Sequence, residues 1–235
     1  MIDLTQATGK DIAVFGRELL AQYREGLSSF EEAAQHIVET IYQQMSAPDG
    51  SPAFALLRIF RLANRDDLPR DLRKLLAPEA QKTLTLMGTW GLEPAWCQRQ
   101  HSSGHQALML GEGQSPMVSA TLRQLALDVG VELPALRAEM EAVLPMPEAT
   151  FMTRYVHIEH ALRSPFVPAQ KEFVEPYGFQ PVVGIGSGFA SGSAYMMLGF
   201  ARVHVTGEMA KNFAQIAPFV STGLAIYNEQ AIWSA

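Results

Sequence analysis

Cys97, His101 and His105 stand four residues apart, so on a helix a thiolate and two imidazoles would share one face. Such a set is suited to zinc, and one of these groups could ligate haem iron. Gly104 interrupts the segment, however, and no fourth donor can be read beside it. His157-x-Glu159-His160 is a second partial donor set, at a spacing common by chance. Ser102, Ser103 and His105 are neighbours, yet nucleophilic catalysis needs a strained elbow of the G-x-S-x-G kind and an acidic orienter, and neither is legible. With no complete catalytic constellation, the expectation is a protein that is not an enzyme. Gly184-Ile-Gly-Ser-Gly188 invites a dinucleotide reading, which requires a helix directly after the glycines. An apolar strand follows instead, so these glycines serve tight turning and close backbone approach. The methionines, Met196-Met197 among them, suit core filling or an adaptable apolar pocket.

Those residues have to be positioned by a chain of 235 residues, enough to bury a substantial core. Lys and Arg number 18 against 24 Asp and Glu, a net charge of −6, which disfavours general nucleic-acid binding. A lone cysteine, Cys97, excludes an intramolecular disulfide and fits a reducing compartment, and Met1–Lys10 lacks the order of a secretory signal; both point to the cytoplasm. Residues 176–201 carry no charge, but six glycines and two prolines there argue against a lipid-facing helix and for two buried strands.

The spacing predicts a first helical segment within 1–27, an N-terminal extension to a single domain over 28–235. A second helix starts at a Ser29-x-x-Glu32 capping box and stops before Pro48. Phe54–Leu62 and Thr83–Trp90 read as strands, Ala95–Ser103 as a short helix, and Gln106–Leu110 as a third strand. The seven basic residues within 58–82, beginning with Arg58 and Arg61, read as part of a solvated surface of mixed charge. Helices are expected from Ser115-Pro116 to Gly130 and over Pro134–Leu144, and a fresh segment over Phe151–Leu162. Phe173–Ile185 and Ser193–Val205 read as paired strands, and Thr206 caps a long final helix. Asn212–Asn228 contains no charged residue, so that helix is either covered by the first helices or forms a subunit interface; the interface is the preferred reading.

The stretch from Tyr177 through Ala194-Tyr-Met-Met-Leu-Gly-Phe-Ala-Arg202 to Tyr227 resembles the closing part of a GAF domain. Three further segments resemble a GAF-like input module found ahead of bacterial sensor kinases. They are Leu84–Trp96, Arg99-x-x-Ser102-x-Gly104-His105-x-Ala107-Leu108, and Ser164–Gln170 leading to Phe173-Val-Glu-Pro-Tyr-Gly178. The resemblance covers about residues 28–230. It implies an α+β, GAF/PAS-like fold: a central antiparallel sheet flanked by helices, with long N- and C-terminal helices. It also implies an amide where Cys97 stands, so Cys97 and His101 are particular to this chain.

The function implied is that of a cytoplasmic signalling domain that binds a small molecule and transmits its state through the terminal helices to a dimer mate or a signalling partner, without nucleic acid or membrane. Expected ligand-binding residues are Trp96, Arg99, Ser102 and His105, then Tyr177 and Tyr195. Arg99 could hold a carboxylate or phosphate, His105 and Ser102 could orient a polar group, and the aromatics could supply apolar contact. Equally, Arg99 and His105 could simply tie a loop to the sheet. The cofactor is left open; the alternative is a haem- or metal-binding sensor using His105, His101 or Cys97.

Overall fold

The structure is a computed structural model that describes residues 1–23, 26–76, 82–102, 106–109, 154–164, 170–189, 191, 193–228 and 231–234. The helices expected within 115–144 lie outside the described residues, as does His105.

An α+β architecture is built on a six-stranded antiparallel sheet of order β5-β4-β3-β8-β7-β6. Its strands are β3 (Phe54–Asn64), β4 (Lys82–Gly91), β5 (Ala107–Met109), β6 (Arg154–Ile158), β7 (Val182–Gly188) and β8 (Ala194–Ala201). β1 (Ile2–Asp3) and β2 (Met45–Ser46) form a small parallel pair apart from it. The principal helices are α1 (Gly9–Gln22), α2 (Phe30–Gln44), α5 (Gly207–Phe213) and α6 (Ala217–Asn228). The short helices are α3 (Arg70–Arg73) and α4 (Glu175–Tyr177).

Caps set the helix starts. Thr8 and Asp11 form a reciprocal box at α1. At α2 the Ser29 hydroxyl accepts from the Glu32 N–H at 3.1 Å, while the Glu32 carboxylate reaches back one residue further, to Ser28 N at 2.7 Å. The Phe30 and Glu31 amides, which no intrahelical carbonyl can satisfy, donate to Ala231 and Ile232 carbonyls at 2.8 and 3.0 Å. The chain's last described segment is thereby fixed to the start of α2. Thr206 caps α5 as its sequence predicts, and a 3₁₀ turn joins α5 to α6. The C-terminal helical run is thus long, whereas α1 has only 14 residues.

Strand alternation gives the sheet two buried faces. Leu57, Ile59 and Arg61 of β3 point to the helices, in a core with Ile12, Phe15, Ile37 and Val220. Leu56, Arg58, Phe60 and Leu62 point the other way, with Leu86, Leu198 and Phe200. α1 supplies Phe15, Leu19 and Tyr23 to the first core, so the segment expected as an extension packs with the rest. The inner face of the uncharged α6 is covered by the chain's own α1 and α2: Val220, Leu224 and Tyr227 are buried, and the Tyr227 hydroxyl donates to Tyr23 O at 2.6 Å. Among the described residues, no helix is long and apolar enough to cross a membrane.

Three expectations need correction. Residues 173–177, expected at the start of a strand, belong instead to a wide helical turn (Gln170–Val174) followed by α4, ended by Gly178 at φ 60°. The helix expected over Ala95–Ser103 is, in its described residues 95–102, not one helix but two 3₁₀ turns, Pro94–Trp96 and Arg99–His101, with Gln98 extended between them. Arg58 and Arg61 are not surface residues: they are 7% and 8% exposed, because β3 is the third strand of the sheet and both its faces are covered.

Candidate functional site

β3 and β4 position the site. Arg58 stands opposite Thr89 on β4 and opposite Leu198 on β8, at the middle of the face turned away from the helices. The 94–102 loop is pinned over this face. Thr89 Oγ1 donates to Trp96 O at 2.9 Å, and Arg58 Nη2 donates to Ser102 Oγ at 3.0 Å. β5 pairs with residues 83–85 of β4, and among the described residues no strand pairs with the Thr89 backbone on that side. The Gln35 amide of α2 takes the strand's place: it accepts from Thr89 N at 3.1 Å and donates to Thr89 O and to Cys97 O, both at 3.0 Å.

Trp96 and Tyr177, far apart in sequence, meet at 4.6 Å between ring centroids. Phe173, Phe179 and Phe200 complete this aromatic wall. Loss of water around the Tyr177 phenol, then the nearby Glu93 carboxylate, push its pKa upward. A cleft of about 450 Å³ opens beside the wall, lined in part by His160, Leu162, Glu175, Phe179 and Gln180.

The other expected residues are placed differently. Arg99 Nε donates to Glu31 Oε1 at 2.7 Å, with both side chains 8% exposed, and its guanidinium lies 5.4 Å from the Trp233 ring. Glu31 Oε2 accepts from Ser234 N at 3.2 Å and from Ser234 Oγ at 2.9 Å. Arg99 therefore ties the loop to α2 and to the C-terminal segment. Tyr195 lies on the helix-facing side of the sheet, not with Trp96 and Tyr177. Its hydroxyl meets Ser221 Oγ at 2.9 Å and Ala217 O at 3.3 Å, and burial pushes its pKa upward. Tyr195→Phe strands these partners and is expected to cost about 1 kcal/mol in urea unfolding; an unchanged midpoint would show that the hydroxyl contributes nothing.

Cys97 closes one 3₁₀ turn and His101 ends the next, so the shared helical face expected for them does not form. The Cys97 thiol points to Gly91 O and Glu93 O, each at 3.5 Å. His157 Nε2 lies 2.8 Å from Val205 O. Among the described residues, no three His, Cys, Asp or Glu side chains group in a way that could hold a metal ion.

Arg58 is the residue that sequence reasoning missed. It is a cation in a mostly apolar strand, 7% exposed, with no partner for its Nε among the described residues. Burial alone pushes its pKa down, to about 10. It remains protonated at neutral pH, at a cost of about 3 kcal/mol to the fold. Arg61 is also buried but is provided for: Asn228 Oδ1 accepts from its Nε and Nη2 at 3.2 and 3.1 Å, and the Phe30 ring lies beneath it. The signal for Arg58 was present in Phe54-Ala-Leu-Leu-Arg-Ile-Phe-Arg-Leu62, since a strand buried on both faces has no inexpensive place for a guanidinium.

No protein-family model matches the chain, and no curated protein does. Among solved structures the chain is similar to the GAF domain from a phosphoenolpyruvate-protein phosphotransferase of Coxiella burnetii. The TM-score is 0.47 at 13% sequence identity, over 93% of this chain and 95% of that one.

Proposed function

We propose that the chain is a GAF-like regulatory domain that binds a small molecule over the sheet face carrying Arg58, without catalysing a reaction, and passes the bound state to its C-terminal end. The observation that supports this reading is the double attachment of the 94–102 loop. Ser102 holds it to Arg58 on the sheet, while Arg99 holds it, through Glu31, to Ser234. A ligand that prefers one seating of this loop over another shifts the balance between them, and the ion pair carries the difference to residues 231–234. Trp96 and Tyr177 would supply the apolar wall of the site.

The output in this proposal is a dimer mate or a signalling partner. Val14 on α1 and Ile226 on α6 are exposed, at 37% and 39%, on a helical layer whose last member carries no charge. Sedimentation of the purified chain reads the dimer directly.

The test of ligand binding is a melting-temperature screen against small organic acids, their amides, nucleotides and amino acids, since any compound that prefers the native state raises its stability. Hits should also slow amide exchange at residues 231–234. A screen without hits would remove the receptor reading; hits that leave those amides unchanged would remove the transmission route.

A further inference from the structure

We infer that Arg58 is the anchor for the carboxylate of a small, largely apolar organic acid bound over the second face of the sheet; this rests on the ligand-binding reading above. Three observations point the same way.

First, Arg58 is buried at the centre of the sheet and, among the described residues, has an unpaired Nε and one hydrogen bond, to Ser102 Oγ. Its neighbours by register are Leu56, Phe60, Leu198 and Thr89, and the Thr89 hydroxyl is already spent on Trp96 O. No carboxylate pairs with it among the described residues.

Second, among the described residues the two other arginines buried as deeply as Arg58 are both provided for. Arg99 has Glu31, and Arg61 has Asn228 and the Phe30 ring. A guanidinium kept only for packing would be more cheaply replaced by a methionine of similar length. Arg58 is left short of an acceptor where the other two are not, and a stability cost of that kind is characteristic of functional sites.

Third, the charge and the surroundings select the partner. One cation in an apolar setting is neutralised by one negative charge, and the guanidinium fork matches a carboxylate in both spacing and plane. A phosphate dianion would leave a second charge buried without a partner. The apolar neighbours and the Trp96–Tyr177 wall suit an aliphatic or aromatic body rather than a sugar.

The experiment compares the full chain with Arg58→Met, each melted alone and with acetate, butyrate, benzoate and phenyl phosphate, and with the amides of the three acids. Without additives, R58M is expected to melt about 4 °C above the wild type, because an uncompensated charge has been removed. At least one acid is expected to raise the wild-type melting temperature by about 3 °C, its amide to do nothing, and R58M to respond to neither. Should R58M not fold, Arg58→Gln serves the same comparison.

Anchoring by Arg58 is overturned if no acid shifts the wild type more than its amide does, or if the variant responds to the acid as the wild type does. A larger, Arg58-dependent shift with phenyl phosphate overturns the carboxylate assignment in favour of a phosphoryl group. If amides and acids move both proteins alike, the site binds ligands without Arg58 and only the present inference falls. If nothing moves either protein, this inference falls together with the receptor reading as tested on these compounds.

Discussion

Glu31→Ala is expected to lower the unfolding free energy by about 3–5 kcal/mol, the range for removing one partner of a buried ion pair. Several dependencies meet at this carboxylate. Its Oε1 accepts from Arg99 Nε at 2.7 Å and, more weakly, from Gln100 Nε2 at 3.4 Å. Its Oε2 accepts from the amide and hydroxyl of Ser234. Truncation leaves the Arg99 charge enclosed with the Trp233 ring as its remaining support, and leaves two donors of Ser234 without an acceptor. The melting temperature should fall by about 10 °C in a chain of this size. Arg99→Met in the same background should recover more than half of the loss, since the stranded charge then disappears. Strictly additive effects in the double-mutant cycle would mean that the two side chains are not coupled. Trp233 emission, read against Trp90 and Trp96 substituted by Phe, should shift to the red as the C-terminal segment loosens.

Regular elements were legible wherever local sequence decides them. Ser29 and Thr206 stop the chain in extended geometry and bond the third helical N–H, so both helix starts could be read from one hydroxyl and its spacing. Phe54–Leu62 and Thr83–Trp90 are apolar runs between turn residues and form the two strands expected of them. Residues 173–179 read as strand in the sequence because Phe173, Tyr177 and Phe179 all face one aromatic cluster, and a short apolar run does not distinguish i, i+4 from i, i+2. Gly178 was the overlooked marker: its left-handed backbone lets the Phe179 N–H return to Val174 O at 3.3 Å and end the turn.

The site was less legible, for a reason of distance along the chain. Trp96, Arg99, Ser102 and Tyr177 could be chosen by residue type, but the meaning of each depends on a remote partner. Arg99 meets Glu31 across 68 positions, and Ser102 meets Arg58 across 44. No local pattern reveals such pairs. Residue type alone groups Tyr195 with Tyr177, whereas strand alternation sends it to the opposite face, among the helices. The uncharged α6 shows the same limit. Low charge signals a covered surface without naming the cover, and here α1 and α2 of the same chain cover its inner side.

Gly88→Ala should be nearly as damaging as the loss of Glu31, through packing instead of charge. A Cβ at Gly88 would lie 2.5 Å from both the backbone carbon and the carbonyl oxygen of Ala34, and 2.7 Å from Gln35 N. These are atoms of the α2 backbone, so no rotamer change can clear them; the helix and β4 must separate. Overpacking of this kind costs about 3 kcal/mol. Separation also draws the Gln35 amide away from Thr89 and Cys97, the bonds that close the open edge of β4 and steady the loop carrying Trp96 and Ser102. The variant is therefore expected to combine a lower urea midpoint with faster amide exchange at Thr89 and in residues 94–102. Ala34→Gly in the same background should restore neither, because it removes a side chain and leaves the obstructing backbone in place. Rescue by that second substitution would show that helix and strand approach through side chains alone, and the close α2–β4 crossing would have to be abandoned as the support of the loop.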